Sequence, residues 1–166
     1  MKIMKELHRL ALSFLYALRG IGYAVKTQRN FRIHLTALMV VVVFNTMAQL
    51  SATHWCIELL CCMVVISMEL VNTALESACD KISTKQHALL GHAKDAAAGA
   101  VLVSAIGSVV IAFLIFFYGN GNAYYLNTMI YFQRPEYAWV KCALLAGLAA
   151  ALLFIFLPSI LQKRKN

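Results

Sequence analysis

The sequence predicts an all-α integral membrane protein: an N-terminal amphipathic helix lying in the membrane interface, followed by four helices that cross the bilayer. Three observations lead there. Of the 166 residues, 61% are hydrophobic and only 13% are charged, about half the roughly 25% charged share of a soluble domain. The apolar residues gather in four runs, 35–50, 55–70, 96–118 and 142–157. Basic residues are distributed unequally among the segments that join those runs, as in multi-pass proteins. Four short helices of a soluble core are the weaker reading, because so little polar sequence is left to cover them.

Residues 1–29 come first. Ile3, Leu7, Leu10, Phe14, Leu18, Ile21 and Val25 recur at spacings of three and four, while Lys2, Lys5, Arg9, Ser13 and Arg19 fall largely elsewhere. A basic helix with one apolar stripe ahead of a membrane span is expected to lie in the interface plane. Gly20 and Gly22 mark an expected bend or a close approach of another element. No cleavable signal is expected, since no compact apolar stretch with a small-residue cleavage site appears in this region.

The polar link Thr27-Gln28-Arg29-Asn30 leads into the first span, near residues 31–35. Asn45 and Gln49 in that span suggest either contact with another helix or, as the stronger reading, a place near the outer interface. Residues 51–54 make a very short turn, so the first two spans form a tight antiparallel hairpin. The second helix should continue to about Ile82, with a loop over 83–92. The third run holds no charge over its 23 residues, enough to cross a hydrocarbon core at about 20 residues. Its Ala- and Gly-rich opening, with Ser104 and Ser108, is expected to let neighbouring helices approach closely. Gly119-Asn120-Gly121-Asn122 then opens an outer segment whose Tyr124, Tyr125, Tyr131, Tyr137 and Trp139 suit the headgroup region. The fourth run supplies the last span.

Charge sets the expected orientation. Of the 15 Lys and Arg residues, seven precede the first span, three lie between the second and third, and three end the chain. Both termini and the middle loop are therefore expected on the cytoplasmic side of a bacterial inner membrane. The net charge of +8 reads as attraction of juxtamembrane Lys and Arg to anionic lipid, not as nucleic-acid binding. The five cysteines sit in or beside apolar runs without a CxxC spacing, as small buried side chains rather than a metal or redox site.

Chemistry concentrates in residues 67–83, SMELVNTALESACDKIS. Glu69, Asn72, Glu76 and Asp80 fall within roughly an 80° sector of one helix face and span about 16 Å along it. His92, Lys94 and Asp95 follow at the start of the next helix. Carboxylates at membrane depth are costly and face a bundle interior or a polar cavity. A divalent cation would relieve their mutual repulsion, and an oxygen-only set is what Mg²⁺ prefers. A magnesium nucleotide, with Lys94 as counter-charge, would fit phosphoryl transfer. The residues alone leave a second reading open, in which these groups only bind one another between helices. Glu58, near the outer end of its helix, is expected to reach water, and His34 and His54 are expected to be structural.

The segments GIGYAVKTQRNFRIH (20–34), MELVNTALESACDKI (68–82) and HAKDAAAGAVLV (92–103) resemble the prokaryotic diacylglycerol kinase family, which includes undecaprenol kinases. The resemblance covers roughly residues 1–118, a kinase-like membrane domain of one interfacial helix and three spans. It implies homotrimers that transfer the γ-phosphate of MgATP to a lipid alcohol, diacylglycerol or undecaprenol. It further implies Glu69 as general base, Asn72 as its positioning partner and Glu76 as a metal ligand. Lys94 would contact phosphate, Asp80 and Asp95 the nucleotide or its surroundings, and Arg9 a region near the lipid. Two features depart from the family pattern. Gln28 stands where the family often has an acid that serves as second metal ligand. Residues 119–166 add an outer aromatic loop and a fourth span. Both departures favour the competing reading, a weak or inactive kinase-like scaffold or regulatory subunit. A small transporter or channel is a third and the weakest reading, because the polar strip stops short of the outer leaflet.

Overall fold

A computed structural model describes residues 2–82, 87–118 and 121–163, and among these every regular element is a helix. In chain order they are α1 (Lys2–Thr27), α2 (Arg29–Ala48), α3 (Ala52–Ile82), α4 (Ala88–Phe117), α5 (Gly121–Gln133) and α6 (Ala138–Lys163). A single 3₁₀ turn, Pro135–Tyr137, leads into α6. Four helices are long and apolar enough to cross a membrane: α2, α3, α4 and the one built on α6. Helices of this kind are the natural solution in lipid, where every backbone N–H and C=O must be paired within its own segment.

The apolar stripe of α1 has nothing in the chain to cover it: Ile3, Leu7, Leu10, Phe14 and Leu18 are all exposed. Such a face is what an interface-plane helix offers to lipid. The helix runs unbroken through Gly20 and Gly22, and neither glycine has a neighbour within 4 Å of where a Cβ would stand. Among the described residues the glycines therefore mark neither a break in the helix nor a close approach of another element. The chain turns instead at Gln28, which is extended (φ −100°, ψ 115°) and separates α1 from α2. At the far end of α2, Gln49 closes the helix in the left-handed region (φ 54°), its N–H bonding back to the carbonyls of Asn45 and Thr46. This tight closure starts the α2–α3 hairpin.

The hairpin end is also where the chain's apolar cluster lies. Ala48, Leu50 and Ile115 are buried there, with Trp55, Ile111, Phe116 and Tyr124 packed around them. Over Gly121–Gln133 the expected aromatic loop is a helix, α5, and it packs back onto α2 and α4. Polar anchors explain the difference. Asn127 Nδ2 donates to the Ala48 carbonyl at 3.2 Å, one of the helix-end acceptors that α2 itself cannot satisfy. Tyr124 Oη lies 2.9 Å from His54 Nδ1, so His54 has the structural part expected of it. From there α6 returns along α2.

Burial bears on several expectations. Asn45, near the hairpin end of α2, is buried, with its Nδ2 lacking a partner among the described residues, which agrees with the helix-contact reading. Glu58 does not reach water: it is 4% exposed and its Oε1 has no partner among the described residues. Gly91, Gly99 and Gly107 have open space where a Cβ would stand, although α4 lies against α3 more closely than any other pair of helices. Ser108 does reach across, donating to the Cys61 carbonyl at 3.5 Å. Of the described α4 residues only Val101 and Ile115 are buried. Most of that helix is left to face lipid or other copies of the chain. The expected 83–92 loop lies in part outside the described residues, and α4 begins at Ala88, ahead of Gly91.

Candidate active site

The candidate site is built on α3, whose polar strip changes from buried to exposed along its length. Glu69 is 2% exposed and Asn72 6%, while Glu76 is half-buried and Asp80 exposed. The helix accommodates the buried polar residues by local bonding. Thr73 Oγ1 donates to the Glu69 carbonyl at 2.8 Å, and Ser77 Oγ to the Thr73 carbonyl at 2.9 Å. Asn72 Nδ2 donates to Glu76 Oε1 at 3.4 Å. That contact leaves Asn72 Oδ1 buried and without a partner among the described residues. A buried acceptor of this kind needs a donor or cation from elsewhere.

α2 and α4 complete the surroundings. Asn30, Ile33 and His34 from α2 and Val101 and Ala105 from α4 line a cavity of about 270 Å³ with Glu69 and Asn72. A second cavity of about 220 Å³ shares His34 and Ala105 with it and reaches toward the hairpin end as far as Glu58. Toward the charged end, Lys94 Nζ on α4 pairs with Asp80 Oδ1 on α3 at 2.7 Å. This pair fastens the two helices where the strip leaves the bundle. Both partners are solvent-accessible, so the pair contributes little to stability and leaves the ammonium able to exchange partners.

The structure thus brings Glu69, Asn72, Glu76, Asp80 and Lys94 onto one polar track shared by α3 and α4. Asp95 is exposed beside it. Arg9 and Gln28 are not part of the cavity. Arg9 pairs with Glu6 at 3.0 Å on exposed α1, and Gln28 is half-buried at the α1–α2 turn. Asn30 and His34, four apart on one face of α2, are wall residues that the sequence reading places in a polar link and takes as structural, respectively. That spacing was the available signal.

The donor chemistry suits a magnesium ion delivered with a substrate. The Glu76 carboxylate supplies oxygen donors, and the neighbouring Asn72 Oδ1 is buried and unpartnered among the described residues. Among the described residues no three His, Cys, Asp or Glu side chains gather into a closed cage. Mg²⁺ is characteristically held by one or two carboxylates together with phosphates and water, not by a full protein cage.

Fold and site together define an integral membrane protein whose polar centre is carried by the helices themselves. The sequence pattern described as Prokaryotic diacylglycerol kinase matches residues 15–116. The chain is 44% identical over 111 residues to the undecaprenol kinase of Bacillus subtilis, covering 67% of this chain and 90% of that protein. It is 43% identical over 103 residues to a diacylglycerol kinase of Synechocystis sp., covering 61% of this chain and 59% of that protein. Against the Escherichia coli K12 diacylglycerol kinase it is 30% identical over 95 residues, covering 57% and 78% of the two chains. No solved structure matches. The chain belongs to the prokaryotic diacylglycerol kinase family, and it is a lipid kinase that uses ATP. α5 and α6 lie beyond the matched region.

Proposed function

We propose that the protein phosphorylates a membrane lipid alcohol, diacylglycerol or undecaprenol, from MgATP at the cytoplasmic surface of the inner membrane. In this reading both termini face the cytoplasm, three copies form the working enzyme, and the basic end of the bundle rests against anionic lipid. The observation that carries it is the pairing of buried Glu69 and Asn72 in one open cleft, with an Asn72 oxygen left unpartnered.

Each residue has a part that its depth explains. The lipid hydroxyl enters beside Glu69, whose carboxylate accepts the proton as the alcohol oxygen attacks the γ-phosphorus. The bond from that phosphorus to the β–γ bridging oxygen breaks, and ADP leaves. Asn72 holds the reacting groups in register through its amide. Glu76, nearer water, and Gln28 from the α1–α2 turn are the residues that would hold the metal carried by the nucleotide. When bound, magnesium neutralises phosphate charge as the bond breaks. Lys94 releases Asp80 to meet phosphate, with Asp80 and Asp95 contacting the nucleotide's surroundings and Arg9 on α1 the lipid headgroup. Little covalent chemistry is asked of the protein, since phosphoryl transfer depends mainly on positioning and electrostatics.

The test is a side-by-side assay of purified protein in mixed micelles with diacylglycerol or undecaprenol. Phosphorylated product that disappears when magnesium is chelated is the expected result. Turnover unaffected by chelation would remove Glu76 and Gln28 from the proposed roles. Absence of product from both alcohols would remove the substrate assignment.

A further inference from the structure

Arg32 is the only fully buried cation among the described residues, at 2% exposure. Its guanidinium has no carboxylate partner there and is satisfied by carbonyl oxygens alone. Nη1 donates to the carbonyls of Val25 at 3.0 Å and Lys26 at 3.4 Å, in the last turn of α1. Nε and Nη2 donate to the Ile155 carbonyl of α6 at 3.3 and 3.0 Å. The α1 carbonyls are those a helix end leaves without an internal donor, and they carry its negative dipole end.

The opposite face of the same α2 turn matters to the chemistry. Asn30, Ile33 and His34, on either side of Arg32 in sequence, line the cavity that holds Glu69 and Asn72. One turn of helix is therefore gripped on one side by α1 and α6, and forms the wall of the cleft on the other. α6 packs against α2 and against no other spanning helix to a comparable extent. Arg32 hydrogen-bonds it to the kinase core.

We propose that Arg32 is a positioning residue through which the added span α6 fixes the α1–α2 elbow, and through that elbow the wall of the cleft facing Glu69. The added span is then a built-in clamp on the lipid site rather than a passive passenger. The planar fork of arginine is required, because acceptors on two helices must be met from different nitrogens. Lysine presents a single donor atom and cannot span them. The kinetic side of this proposal rests on the lipid-kinase reading above, whereas its structural side does not.

The experiment compares full-length wild type, Arg32→Gln and Arg32→Lys in lipid nanodiscs by hydrogen exchange and by kinetics. Both variants are expected to exchange faster together over residues 24–34 and 150–160, with α5 unchanged. The KM for the lipid alcohol should rise roughly fivefold or more, the low end of coupling between sites, with kcat within about twofold of wild type. Faster exchange over 24–34 alone, or over every helix including α5, overturns the clamp. So does the expected exchange pattern with an unchanged KM, or full recovery by lysine. Glu69→Gln serves as reference, with turnover lost and exchange at 150–160 as in wild type. If the kinase reading itself fails, wild type shows no turnover, and the exchange over 150–160 still decides the clamp.

Discussion

Replacing Glu69 by Gln tests the proposed mechanism most directly, because it changes one property and little else. The amide has the shape of the carboxyl group, so the 2%-exposed site stays filled and the Thr73 bond to the residue 69 carbonyl is untouched. The fold should not weaken. Glu69 and Glu76 are two turns apart, about 10 Å along the helix, and removing one charge relieves on the order of 1–2 kcal/mol of repulsion at an effective dielectric near 20. What disappears is the group that takes the alcohol proton. Loss of a positioned general base costs about 10²–10⁴ in kcat, or roughly 3–5 kcal/mol in the barrier. The KM for MgATP should stay near wild type, since Asn72 and Glu76 keep their mutual contact. Initial rates of lipid phosphate formation in mixed micelles, over a range of ATP at saturating lipid, give both constants. A fall in kcat of less than about tenfold, or a loss appearing only in the KM for MgATP, would refute Glu69 as the base.

Three further outcomes follow from other contacts. Lys94→Gln should raise the KM for MgATP roughly tenfold or more, as expected for losing a charged hydrogen bond to phosphate. The unfolding midpoint should barely move, because the Lys94–Asp80 pair is exposed on both sides. Gln28→Glu should lower the magnesium concentration giving half-maximal rate by roughly threefold or more, because cation affinity follows the ligand charge count; titrating rate against free magnesium checks this. Asn127→Ala removes the bond to the Ala48 carbonyl at the hairpin end. It should cost about 0.5–1.5 kcal/mol of stability in detergent unfolding and leave both KM values unchanged.

The candidate site was largely legible because its signal is periodic. Glu69, Asn72, Glu76 and Asp80 share a helix face whatever surrounds them, and spacing alone reveals a face. Lys94 could be matched to that strip because it opens the next span. Spacing does not reveal depth. Glu58 was expected in water and is buried, since its surroundings come from α2 and α4 as well as its own helix. The place of His34 and Asn30 in the cavity wall was hidden for the same reason: each is a single polar residue near a helix start until α3 is laid against it.

By itself, the amino-acid order determined the four apolar spans and the amphipathic first helix. Length and apolarity suffice for this, because in lipid a backbone segment that must satisfy its own polar groups becomes a helix. Only the tertiary structure decided that 121–133 is a helix folded back on the hairpin end, and that Arg32 is a buried link instead of one more charge drawn to lipid headgroups. Its acceptor on α6 lies 123 residues away in the chain. No local pattern encodes such a meeting; it exists only once α6 is packed beside α2.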